Sequence, residues 1–72
     1  MKQEILSFEK LTEDKKGVAV ENYKSERLAT DDVECVKAYE NYTDEEWLEN
    51  AKGYTYVVTY FDNGMYSVYC LF

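Results

Sequence analysis

Histidine and proline are absent from the 72-residue chain, glycine occurs three times and cysteine twice. Each shortage excludes something. Without histidine, the chain lacks the commonest general base and the commonest metal ligand. Gly17, Gly53 and Gly64 are isolated from one another, so no glycine-rich phosphate loop exists. Nothing reads as an interdomain linker, a low-complexity run or an internal repeat. Two cysteines, Cys35 and Cys70, cannot build a disulfide-dense framework. One bridge is an open alternative, but their setting favours two buried thiols in a reducing cytosol. Long apolar runs are also missing. The apolar stretches are too short and too interrupted to span a bilayer, and the opening residues lack the apolar core of a signal peptide. A cytoplasmic protein is expected, with a single domain over residues 1–72. A domain of this size buries roughly 60% of its unfolded surface, so its stability is marginal.

Basic residues are the remaining shortage. Eight Lys and Arg face fifteen Asp and Glu, giving a formal charge of −7. The imbalance is local. Residues 1–29 carry six acids and six bases, whereas residues 30–72 carry nine acids and two bases, Lys37 and Lys52. Such a charge argues against direct contact with nucleic acid or an anionic membrane, and favours a basic partner.

The pattern predicts an α+β fold: a short N-terminal strand, two to three helices and a C-terminal β-hairpin. In "EILSFEKL", residues 4–11, Leu6 and Phe8 share one strand face and Ile5 the other. Thr12 reads as a helix N-cap followed by Glu13 and Asp14. A helix over about 12–26 would place Ala19 and Tyr23 one turn apart, with Gly17 costing it roughly 1 kcal/mol against alanine. The competing reading of residues 17–24 is a strand, with "TEDKKG" as a loop. A resemblance favours the helix. Phe8, Leu11, Thr12, Lys16, Ala19, Val20 and Tyr23 in "FEKLTEDKKGVAVENY" resemble a motif of small uncharacterised phage and prophage proteins. Gly17 departs from that motif, where a good helix former is usual. The resemblance covers residues 8–23. It implies a helix and a phage or mobile-element origin, and no activity.

"DDVECVKAYENYTDEEWLEN", residues 31–50, holds eight acids and one base. It reads as two helices, about 31–41 and 44–52. Thr30 is the expected cap of the first. Thr43 with Glu46 has capping-box spacing for the second, and Gly53 fits just past its end. The hairpin spans 54–61 and 65–72. Asn63-Gly64 suits a two-residue type I′ turn, which requires positive φ at both positions. That turn pairs Phe61 with Tyr66, Thr59 with Val68, Val57 with Cys70 and Thr55 with Phe72. Both sheet faces are then apolar. One assignment buries Val57, Phe61, Val68, Cys70 and Phe72 and exposes Tyr54, Tyr56, Tyr60 and Tyr69; the reverse assignment is open.

Placing Asp31, Asp32, Asp44, Glu45 and Glu46 in first helical turns suits the helix dipole, by about 0.3–1 kcal/mol each. It does not account for the missing bases, or for the like-charge pair Glu45 and Glu49 at i,i+4. The carboxylates do not follow a calcium-loop spacing. No metal, cofactor or catalytic residue is expected, because no histidine supports a serine or cysteine nucleophile.

Two functions fit. One is a non-enzymatic acidic inhibitor acting in the host cell. Its carboxylates would stand in for phosphates at the site of a basic nucleic-acid-binding defence enzyme, and its tyrosines for stacked bases. Anti-CRISPR and anti-restriction proteins resemble this profile in being short, acidic and free of enzymatic motifs. The residues expected to bind are Asp31, Asp32, Glu34, Glu40, Asp44, Glu45 and Glu49, with Tyr54, Tyr56 and Tyr60 as anchors. The alternative is a structural or regulatory homodimer joined through the tyrosine face or an open edge of the hairpin.

Overall fold

The computed structural model describes residues 1–30 and 32–71. Strand β1 (Lys2–Ser7) leads through a 3-10 turn (Phe8–Lys10) into helix α1 (Glu13–Leu28). Helices α2 (Val33–Glu40) and α3 (Asp44–Ala51) follow, then strands β2 (Thr55–Tyr60) and β3 (Tyr66–Leu71). The fold is α+β, with an antiparallel sheet of order β1-β2-β3. Residues 17–24 are helical. The expected N-terminal strand ends at Ser7, and Phe8 begins the turn instead of continuing it.

The motif residues of 8–23 are mostly packing residues. Phe8, Leu11, Ala19 and Tyr23 are all buried, and Thr12 takes the N-cap position without a side-chain capping bond. Ala19 and Tyr23, one turn apart, form the inward stripe of α1. Trp47 from α3 meets the Tyr23 ring edge-on, with centroids 6.1 Å apart, and Phe8 meets Tyr56 at 5.9 Å. Edge-to-face and tilted pairs of this kind add roughly 0.5–1.5 kcal/mol beyond area burial. Large rings thus fill much of the core, with Trp47, Tyr23, Tyr56 and Phe8 its largest buried side chains.

The hairpin corrects the expected register. Phe61 N–H donates to Met65 O at 2.9 Å, and Gly64 N–H donates to Phe61 O at 3.1 Å. The loop therefore has three residues, Asp62-Asn63-Gly64. Gly64 alone among the described residues has positive φ, at 82°, so Asn63 does not form a type I′ pair with it. A tight turn followed by a left-handed glycine is the usual three-residue hairpin loop. The observed pairs are Tyr60 with Tyr66, Thr59 with Ser67, Val58 with Val68, Val57 with Tyr69, Tyr56 with Cys70 and Thr55 with Leu71.

One extra loop residue flips one strand relative to the other. Val68 and Cys70 face the helices as expected, but in β2 the inward set is Tyr56 and Val58, not Val57 and Phe61. Tyr56 and Val58 are fully buried, whereas Phe61 is exposed. The Phe72 part of the expected core lies outside the described residues. Tyr54, Tyr56 and Tyr60 thus turn inward, and only Tyr69 of the four expected outward tyrosines is on the open face.

Burial of Tyr56 is complete because its hydroxyl has a partner. It donates to Ala51 O at 2.7 Å and so ties β2 to the end of α3. Burial pushes the Tyr56 hydroxyl well above its ordinary pKa. Tyr23 is pushed from 10.0 up to about 12, by burial first and then by its hydrogen bond with Tyr54.

Gly17 meets nothing within 4 Å of where a Cβ would sit. Gly17→Ala should therefore raise stability by about 0.5–1 kcal/mol, read by urea unfolding. Tyr56→Phe should cost about 1 kcal/mol at neutral pH. The tyrosines also set an alkaline limit. Their folded pKa values are raised, so the stability they contribute is complete below pH 10 and is lost as pH rises from 10.0 to about 12. Denaturant midpoints measured across that window should fall, and Tyr23→Phe should flatten the fall.

Candidate functional site

Helices α2 and α3 are short, and their starts are held by side chains. Asp32, not Thr30, caps α2: its Oδ1 accepts from Glu34 N–H at 3.0 Å and Cys35 N–H at 3.2 Å. Thr30 acts one step earlier, where its Oγ1 accepts from Asp32 N–H at 3.4 Å. An aspartate at this position combines a strong acceptor with a charge suited to the helix dipole. The capping box of α3 is present. Thr43 Oγ1 accepts from Glu46 N–H at 3.3 Å, and Glu46 Oε1 accepts from Thr43 N–H at 3.2 Å. Gly53 does not provide a left-handed stop, since its φ is not positive; α3 closes through Lys52 N–H to Leu48 O at 3.2 Å.

Trp47 orients the pair. Its ring is buried, and the half-buried rings of Tyr39 and Tyr42 each lie 5.2 Å from it. These three rings turn the apolar sides of α2 and α3 inward and leave the carboxylates in water. Asp32, Glu34, Glu40, Asp44, Glu45, Glu46 and Glu49 are all exposed. Asp31 lies outside the described residues. Glu45, Glu46 and Glu49 surround one shallow hollow of about 450 Å³ on the outer side of α3.

Local chemistry employs only part of this set. Asp32 caps, Glu46 completes the box, and Glu49 Oε1 meets Lys52 Nζ at 2.9 Å. Among the described residues, Glu34, Glu40, Asp44 and Glu45 have no side-chain hydrogen bond or ion pair. Also among the described residues, no three thiols or carboxylates converge closely enough to hold a metal ion.

The structure separates the expected tyrosine anchors from the carboxylates. Tyr56 is inside the core. Tyr54 packs on Tyr23 with centroids 5.1 Å apart, and its hydroxyl accepts from Arg27 Nη2 at 2.8 Å. Tyr60 belongs to the opposite end of the sheet. Its hydroxyl donates to Glu4 Oε2 at 3.2 Å, and the Lys15 ammonium sits 4.9 Å from its ring. Lys15 is held above its ordinary pKa by that tyrosine, and Glu4 below its own, chiefly by Lys2 at 3.1 Å. The half-exposed rings beside the carboxylates are Tyr39 and Tyr42, which sequence reasoning left out of the site. "YENY" inside the acidic run was the available signal.

A groove of about 580 Å³ runs between α1 and α3 over Phe8, Val20, Trp47 and Leu48. Its rim mixes Lys16, Lys24 and Lys52 with Glu13, Glu21 and Asp44, and no hydroxyl or thiol lines it. Cys35 and Cys70 are separate, half-buried thiols, and burial pushes Cys70 above its ordinary pKa. No helix among the described residues is long and apolar enough to cross a membrane. No family model, curated protein or solved structure matches this chain.

The acids should divide cleanly in unfolding experiments. Asp32→Ala and Thr43→Ala should each cost roughly 1 kcal/mol. Glu40→Ala and Glu45→Ala should change stability by less than about 0.5 kcal/mol.

Proposed function

We propose that this protein is a non-enzymatic binding protein whose α2–α3 surface engages a basic site on a partner protein. The partner class that fits is a nucleic-acid-binding enzyme, with the carboxylates occupying positions of backbone phosphates. The phage-type motif in residues 8–23 supplies the setting: an inhibitor of a host defence enzyme, of anti-CRISPR or anti-restriction character. The observation that carries this reading is the surplus of carboxylates. Glu34, Glu40, Asp44 and Glu45 are exposed and, among the described residues, serve no capping bond or ion pair, while Lys37 is the sole base in the sequence from residue 31 to residue 50. Repulsion among them is relieved when a cationic groove replaces water and counterions. Tyr39 and Tyr42, half-exposed at the α2–α3 corner, are the rings placed to stack there.

The contact should be steeply salt-dependent. Immobilised protein is exposed to host lysate and washed at low and then high salt, with and without competing DNA or RNA. The expected outcome is a nucleic-acid-binding protein retained at low salt, released at high salt and displaced by nucleic acid. The double variant Glu45→Lys/Glu49→Lys should lose it while keeping its circular dichroism spectrum. Retention that ignores salt, competitor and charge reversal alike would reject this reading.

A further inference from the structure

We infer that the uncovered face of the sheet is a self-association surface, on which two copies of this chain pack face to face. This goes beyond the acidic surface and uses different residues. Helix α1 packs on the side of Tyr56, Val58 and Val68, with α2 and α3 against α1, so the residues alternating with these three point away from α1. Ile5, Val57 and Tyr69 lie abreast across the three strands, in direct register. Leu71 follows Tyr69 on the same face, and Phe61 and Met65, paired where the strands meet the loop, extend it up to the turn. Ile5 is 66% exposed, Tyr69 61% and Leu71 42%. Among the described residues eight large apolar side chains are exposed, and five of them share this face. That is concentration in one place, not ordinary scatter over a surface.

Charge selects the occupant. Charged residues make up 32% of the chain, yet β2 and β3 contain none, and the two in β1, Lys2 and Glu4, point to the helix side. The other strand positions on this face are Gln3, Ser7, Thr55, Thr59 and Ser67; Thr59 is itself covered, at 7% exposed, and its Oγ1 accepts from Gln3 Nε2 at 3.3 Å. Two copies, each at −7, can therefore meet here without opposing like charges, whereas the exposed helices carry acids. An uncharged face also offers nothing to the basic partner of the acidic surface. Three strands about 4.8 Å apart, with six residues at about 3.4 Å each, give a footprint of roughly 14 by 20 Å. At about 280 Å² per copy this lies below the roughly 1,200–2,000 Å² in total of standard specific interfaces, so the dimer is expected to be weak, concentration-dependent and not obligate. Tyrosine and aliphatic side chains interleave at such a sheet–sheet contact, with the sheets about 10 Å apart.

The test is sedimentation equilibrium of the full chain from micromolar to millimolar concentration, at low and high salt. The mass should rise from 8.5 kDa towards twice that value, and high salt should preserve or strengthen the association by screening the net charge. Tyr69→Lys should weaken the dimer by about tenfold or more, since it buries an unpaired charge, although it lowers the overall repulsion. Ile5→Lys is the second variant on the face, and Val33→Lys, equally exposed but on α2, is the control. Circular dichroism confirms that each variant folds. A chain that stays at 8.5 kDa at millimolar concentration overturns the inference. So does a dimer that survives Tyr69→Lys, which would place the contact away from this face, or one that Val33→Lys abolishes equally.

Discussion

Gly64 takes a backbone conformation that side chains disfavour, and the register of the hairpin depends on it. With φ at 82° it closes a three-residue loop in which Phe61 faces Met65. That pairing puts Val58 opposite Val68 and Tyr56 opposite Cys70, so the inward sets of both strands coincide. β1 then completes the sheet with Leu6 beside Tyr56. Had the loop been one residue shorter, β2 would present Val57 and Thr59 to the helices. The hydroxyl of Tyr56 could not reach Ala51, and the join between β2 and α3 would be lost.

The inward choice for β2 is decided by polar satisfaction as much as by apolar area. A buried tyrosine hydroxyl without a partner costs about 1–3 kcal/mol, which would cancel much of the gain from its ring. Tyr56 avoids this at Ala51 O and Tyr54 through Arg27, while Tyr60 keeps its hydroxyl at the half-buried rim with Glu4. No buried side-chain nitrogen or oxygen among the described residues lacks a partner. The inward tyrosines are thus a set of rings whose polar tips each reach an acceptor, a donor or water.

A chain this short covers only one face of its sheet. Helix α1 packs on the sheet side of Tyr56, Val58 and Val68, and α2 and α3 pack on α1, so no helix of the described residues covers the other side. The molecule is divided as a result. Its exposed carboxylates crowd α2 and α3, held outward by the Tyr39–Tyr42–Trp47 cluster, while the strand residues described on the far face of the sheet carry no charged side chain. The two surfaces favour different companions for the same electrostatic reason. The charged one gains from a cationic partner that replaces its counterions, and the uncharged one accepts contacts that the rest of this acidic molecule repels.

What the sequence disclosed follows the range of the forces involved. The α3 capping box was legible because Thr43 and Glu46 determine it within four residues. The sequence left residues 17–24 open between helix and strand, with a resemblance only favouring the helix; the helix is decided by packing, in which Phe8, Leu11, Ala19 and Tyr23 are core residues. The Thr30 cap failed because Asp32, two residues on, is a better acceptor at a workable position. The sheet faces failed for a non-local reason. Asn63-Gly64 is compatible with loops of two or three residues, and both faces of β2 are apolar, so periodicity could not choose between them. The choice was made by Tyr56 reaching Ala51 and by its ring meeting Phe8, contacts that join distant parts of the chain and leave no local mark. The tyrosine anchors of the candidate site fell with that register. The exposure of the described carboxylates did not depend on it, because the polar side of each helix follows from its own stripe of Trp47 and Tyr39, whichever way the sheet is turned.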